Sequence, residues 1–242
     1  MRKQGLNRTQ MKLIAIAAMT ADHVAMFLLP SGVETGWFGL VFLMRAFGRL
    51  TGPTMFFFLA EGFRHTSSRR KYGLRLLVFG LLSQIPYALV HGHGLFYPDF
   101  NVILTLFVSF LILAVSEKVE NRGLSMLAVF GMMLVTLWSD WGLVGPLLAW
   151  FFWRHADDRP LQRRFYALIC VLMTVVPCLH YIQVGEAWYR EIWQLGMFLF
   201  LPFLSLYNGE PGPRGPFSRW LFYLFYPAHL LVIWLISRWT VL

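Results

Sequence analysis

An all-α, polytopic integral membrane bundle is the fold this sequence predicts, with about nine transmembrane helices and one further re-entrant or amphipathic helix. Three observations carry that expectation. Of 242 residues, 57% are hydrophobic and only 14% are charged, where a soluble domain holds roughly 25% charged residues. Apolar runs recur at about the 20 residues a helix needs to cross a bilayer, separated by short loops. The basic residues gather in alternate loops, the mark of membrane orientation. The same figures exclude a disordered chain, a disulfide-rich module, a coiled coil and an ordinary cytosolic enzyme. The net charge of +9 reads as orientation rather than as a nucleic-acid footprint, and no nucleic-acid partner is expected. Cys170 and Cys178 share one apolar run and are expected to pack, not to report a redox compartment.

The first span is expected over residues 13–30. Its basic lead, MRKQGLNRTQMK, is not followed by a small-residue cleavage site, so no cleavable signal peptide is expected. Residues 37–62 are too long and too charged for one plain span. Gly48, Gly52 and Pro53 are expected to break that stretch into a short helix and a true span. Further spans are expected over 74–90, 102–116, 123–138, 142–153, 165–181, 192–206 and 220–237. Residues 142–153 are short and follow a tight Asp140-Trp141 turn, which suits a tilted or half-buried helix. A Gly- and Pro-rich loop covers 208–216. The chain is expected to form one membrane-embedded domain over 1–242. With the N-terminus in the cytoplasm, the inner segments collect 17 of the 21 Lys and Arg, among them Arg2, Lys3, Arg214 and Arg219. An odd number of spans places the C-terminus outside.

Ionisable residues inside the apolar runs are the candidates for function. Each costs at least about 2.5–3.5 kcal/mol at mid-bilayer, so such residues usually have partners. Asp22, His23, Arg45, Arg49, Glu61 and His229 stand out. Lys12 and His23 are eleven residues apart, about three helical turns, so they share a face and are separated by roughly 16 Å of rise. Asp22 diverges from His23 by about 100° around the helix, and either serves a neighbouring helix or touches the imidazole from the side. Arg45 and Arg49, at i and i+4, form a guanidinium pair suited to phosphate, or else pair with Asp22 or Glu61. Glu61 and His65 are likewise at i and i+4, as a capping or gating pair. His91 and His93 are read as a solvated loop, without a third metal ligand, and no metal is expected. Proton relays in transporters use the same residue types, but no inverted repeat is visible.

Several runs together resemble a known family. KLIAIAAMTADHVAMFL is followed by GRLTGPTMFFFLAEGFRHT, RKYGLRLLVFGLLSQIPYALV, NVILTLF and FYLFYPAHLLVI. In that order, over residues 12–236, they resemble the TraX family of inner-membrane proteins associated with N-acetylation of conjugative pilin. That family is similar to a wider group of transmembrane acyltransferases, which carries a basic residue, ten residues and a histidine in its first span. Lys12 and His23 match that spacing. A paired-arginine motif follows there with two intervening residues; Arg45 and Arg49 have three.

The resemblance implies a bacterial cytoplasmic-membrane acyltransferase. It would move an acetyl group from cytoplasmic acetyl-CoA to an amine or hydroxyl of a protein, glycan or lipid acceptor at the membrane or outside. His23 would take the acceptor's proton, with Asp22 favouring the imidazolium. Lys12, Arg45, Arg49, Arg69, Arg70 and Lys71 would attract the CoA phosphates. Asn101, Gln84, Tyr87, Tyr226, His229 and Glu61 would line the acceptor side. Membrane lipids are the expected surroundings, and the wider group includes homodimers. A transporter and a non-catalytic assembly factor for a surface appendage are the rival classes; the last predicts no dependence on His23.

Overall fold

A computed structural model of the chain describes residues 4–30, 36–94, 97–213 and 215–240, without the side chains of 190, 216–219 and 240. Arg2, Lys3 and Arg214, counted above for orientation, lie outside the described residues, as does the side chain of Arg219. Among the described residues all regular structure is helical, with only the isolated bridges Leu6–Tyr207 and Phe100–Ser139.

The first helix, α1 (Arg8–Phe27), begins at a capping box: the Asn7 side chain accepts from Gln10 N–H, and the Gln10 side chain accepts from Asn7 N–H. The stretch 37–62 does break. α2 (Phe38–Gly48) stops at Arg49 and Leu50, and α3 (Thr51–His65) starts straight after. Pro53 is not the breaker: as the third residue of α3 its missing N–H would have had no helical partner anyway. Gly48 matters for another reason, since a Cβ there would run into the Asp22 side chain of α1. α2 and α3 together run back along α1, with Gly48 beside Asp22 and Glu61 beside Arg8.

α4 (Arg69–His91) and α5 (Val102–Lys118) form an antiparallel pair. Arg69 and Glu117 are ion-paired at one end, and Gln84 meets Asn101 toward the other. α6 (Arg122–Val135) and α7 (Val144–Arg154) follow. α8 (Arg159–Gln183) is answered by a 3-10 stretch (Trp188–Leu199) that passes into the short α9 (Phe200–Ser205). An α-helical span over 192–206 is therefore corrected. Pro202 has no N–H to give to the Phe198 carbonyl, and Gly196 brings this segment against the Ala46 carbonyl of α2, where any Cβ would collide. α10 (Pro216–Thr240) closes the bundle beside α1 and α4. Among the described residues the helices thus fall into nine successive segments, α2–α3 and the 3-10 stretch with α9 each counting as one.

α3 is the axis of the packing. Ten of its fifteen residues are buried, and Phe57 makes ring contacts with Phe152, Phe200 and Tyr207. The outside is the reverse of a soluble protein. α6 has no buried residue, and Met126, Leu127 and Phe130 are 70%, 69% and 60% exposed. Among the described residues three helices, α4, α8 and α10, are long and apolar enough to cross a membrane. An apolar surface of this extent is stable against lipid hydrocarbon and not against water.

The loop after α9 folds onto the start of α1. Leu6 N–H donates to Leu206 O (2.7 Å), Arg8 N–H to Glu210 O (2.9 Å), and Thr9 Oγ1 to Pro211 O (3.1 Å).

Candidate functional site

The polar residues of α1 are divided between two places. At its N-terminal end, Arg8, Thr9 and Lys12 form one wall of a cavity of about 350 Å³, closed by Phe58 and His65 of α3, Tyr72 and Arg75 of α4, Tyr223 of α10, and Pro211 and Pro213 of the loop. Arg8 is already engaged: its Nη2 donates to Glu61 Oε2 at 2.8 Å, and the Tyr207 hydroxyl donates to the same carboxylate at 2.8 Å. Burial, reinforced by that hydrogen bond, pushes the Tyr207 phenol up to about 12. Lys12 forms no ion pair among the described residues, and Arg75 Nε is buried without a hydrogen-bond partner. The cavity therefore offers cationic groups with unspent capacity beside aromatic walls, a donor set that fits phosphates and a planar ring.

Three turns further along the same face of α1, His23 Nδ1 lies 2.7 Å from Nε2 of His229, on α10. The two rings are near-parallel, 13° between planes with 4.9 Å between centroids, and His229 Nδ1 lies 3.0 Å from the Phe225 carbonyl oxygen. Phe27, one turn on from His23, meets the His91 ring edge-on at 4.9 Å.

Asp22 turns away from this pair. The carboxylate–imidazole contact expected between Asp22 and His23 is not formed, because successive helix positions diverge by about 100° and Asp22 faces α2. Arg49 Nη2 donates to Asp22 Oδ2 at 2.6 Å, and Arg45 Nε lies 3.6 Å from Oδ1. Both guanidiniums lie over the Trp193 ring, at 4.2 and 4.5 Å from its centroid, a cation–π arrangement. Of the two alternatives for Arg45 and Arg49, phosphate or a carboxylate of the bundle, the structure forms the pairing with Asp22, and neither arginine lines the cavity around Lys12. Close by, in the turn before α7, burial pushes the Asp140 carboxyl up to about 6 against the pull of Arg49.

Other expected site residues serve the frame. Asn101 caps α5: its Oδ1 accepts from Ile103 and Leu104 N–H, while its Nδ2 donates to Gly80 O (2.9 Å) and Gln84 Oε1 (2.7 Å). Gln84 Nε2 donates to Asp99 O, and the Tyr87 hydroxyl to Asp99 Oδ1. These three residues fasten α4 to the start of α5 and the loop before it. Tyr226 is buried beside His229, with 5.5 Å between ring centroids. Glu61 does not pair with His65; it binds Arg8 and Tyr207, and His65 lines the cavity. Arg69 is paired with Glu117 and lies over Phe63, and neither Arg70 nor Lys71 lines the cavity. His93 is paired with Asp99 at 3.6 Å.

Trp193, Arg8, Arg75 and Tyr207 were not singled out by the sequence. Trp193 is one of ten tryptophans and nothing local distinguishes it. Arg8 and Arg75 are indistinguishable, in sequence, from other basic residues of the inner loops.

A family model described as TraX protein matches residues 7–237 of the chain. Over 232 residues, 93% of each chain, the sequence is 30% identical to the probable fimbrial assembly protein FimC, serogroup H1, of Dichelobacter nodosus. No solved structure matches.

Proposed function

This chain belongs to the TraX family, and from that premise we propose that it is a multi-pass protein of the bacterial cytoplasmic membrane that transfers an acetyl group from acetyl-CoA to an amine or hydroxyl at the membrane or its outer face. The observation that carries this reading is the division of labour along α1. A cationic cavity at Lys12 and a half-buried imidazole at His23 lie on one helix face, roughly 16 Å apart. A donor with several phosphates and a long flexible arm ending in a thioester suits that spacing: the charges dock at Lys12 and Arg75 while the acyl end reaches inward.

The reaction then follows from the residues. His23 Nε2 removes a proton as the acceptor nitrogen or oxygen attacks the thioester carbonyl. The C–S bond breaks as the new amide or ester forms, and the imidazolium returns its proton to the departing CoA thiolate. Acceptor and acetyl-CoA become acetylated acceptor and free CoA. The name of the Dichelobacter nodosus relative favours a pilus subunit as the acceptor. It equally favours a second reading, in which the chain assists fimbrial assembly without catalysis.

One experiment separates the two. Purified wild-type protein is given acetyl-CoA and acceptor, CoA release is followed, and pilus assembly is scored in cells. The acyl-transfer reading expects His23→Ala to stay folded and lose about 10²–10⁴-fold in turnover, and Lys12→Ala and Arg75→Ala to raise the KM for acetyl-CoA. Normal pili in cells carrying folded His23→Ala, with no CoA release from the wild type, would establish the assembly reading instead.

A further inference from the structure

Two hydrogen bonds at the α1–α10 contact decide where the hydrogen of His23 resides. His229 Nδ1 lies 3.0 Å from the carbonyl oxygen of Phe225, one turn earlier on α10. A carbonyl oxygen only accepts, so His229 carries its hydrogen on Nδ1, and in the neutral ring its Nε2 is then the acceptor. That Nε2 lies 2.7 Å from His23 Nδ1. His23 must therefore donate from Nδ1, which leaves its Nε2 with the lone pair. Tautomers follow from the hydrogen-bond network in this way, because one ring nitrogen's partner fixes the state of the other.

We infer that His229 is a positioning residue for His23. It holds the ring in the Nδ1–H tautomer and presents Nε2 as the atom that takes a proton. The sequence suggests Asp22 for this task, but the Asp22 carboxylate is engaged by Arg45 and Arg49. Further support is geometric. His229 is 6% exposed, its ring is stacked on Phe225 at 5.1 Å with 9° between planes, and Tyr226 flanks it. The acceptor offered to His23 is thus held in one place. A neutral imidazole also orients its partner without adding to the net positive charge of Arg45, Arg49 and Asp22. The catalytic consequence rests on the acyl-transfer reading above; the tautomer does not.

The test uses the full-length protein in nanodiscs with [15N]histidine, since nitrogen chemical shifts distinguish a protonated ring nitrogen from a bare one. Loss of signals in His23→Gln and His229→Gln assigns the pair. The wild type is expected to show His23 protonated at Nδ1 and bare at Nε2. In His229→Gln the amide oxygen can still accept, so the His23 tautomer persists and kcat stays within about tenfold. In His229→Leu the acceptor is gone, His23 redistributes between tautomers, and kcat falls about 10²-fold or more at unchanged KM for acetyl-CoA. A wild-type His23 protonated at Nε2, or an unaltered His23 spectrum in folded His229→Leu, would overturn the inference. The expected spectra in a protein that releases no CoA would uphold it and remove the acyl-transfer reading.

Discussion

Arg49 Nη2 and Asp22 Oδ2 meet at 2.6 Å where α2 gives way to α3. The approach is possible because residue 48 is glycine: its Cα lies against the Asp22 side chain, where a Cβ has no room. One carboxylate here answers two guanidiniums, with side chains 10–18% exposed, and Trp193 covers both.

Removing that carboxylate strands two half-buried cations. Asp22→Ala is expected to cost about 3–5 kcal/mol, read as a lower melting temperature in detergent. Adding Arg49→Met to Asp22→Ala should recover part of the loss, since fewer cations then lack a partner. Arg49→Met alone should leave the KM for acetyl-CoA unmoved. A wild-type melting curve for Asp22→Ala would refute the structural role given to this cluster.

Asn101 makes a contrasting case. Its amide satisfies two N–H groups of α5, the Gly80 carbonyl and Gln84. Asn101→Ala is expected to cost about 2 kcal/mol, from the lost cap and the orphaned partners. Turnover per folded molecule should be unchanged. A stable variant with lost turnover would return Asn101 to the acceptor site.

Stability should depend on pH through Asp140. Its folded carboxyl is raised by burial to about 6, from an ordinary value of 3.8. The folded state therefore holds that proton more tightly than the unfolded chain, and stability is greatest below the ordinary carboxylate range. It declines as pH rises through 6 and then levels. The melting temperature of the wild type should fall between pH 4 and pH 7 by more than that of Asp140→Asn, which lacks this component. Parallel profiles for the two proteins would refute the assignment.

Direction across the membrane can be read with reporters. Fusions after Arg122 and Arg164 should report a cytoplasmic location, and fusions near Gly94 and Gly185 an external one. Both inner positions lie on the same end of the bundle as the Lys12 cavity, since Arg69 meets Glu117 and Arg163 meets Ser205 there. Two reversed reporters would overturn this orientation and place the cavity away from cytoplasmic acetyl-CoA.

Helical class, the order of the helices and the break near Gly48 are legible in the sequence because each rests on a local pattern: apolar runs, and an interruption marked by glycine and by the charges of Arg45 and Arg49. The 3-10 geometry of Trp188–Leu199 is not, since it depends on Gly196 meeting a carbonyl of α2, some 150 residues earlier in the chain. In the site, Lys12 and His23 are legible from helical spacing alone. The partners are not: that Asp22 answers α2 while His23 answers α10 depends on which helix occupies each side of α1. Asn101 falls in a stretch that resembles the family, yet its position before an apolar run is also the signature of a helix cap, which is how it is used.

The seam between the start of α1 and the loop after α9 has a consequence for how the molecule is made. α1 leaves the ribosome ahead of the other helices described, yet the acceptor for Thr9 lies 202 residues downstream, at Pro211. At a synthesis rate of about 5–20 residues per second, that is a wait of about 10–40 s. Through that interval the nascent chain lacks Pro211 and Pro213, and with them one wall of the cavity. A chain released before Pro213 keeps Lys12 and His23 but lacks that wall, so the cavity forms only once synthesis has passed this loop.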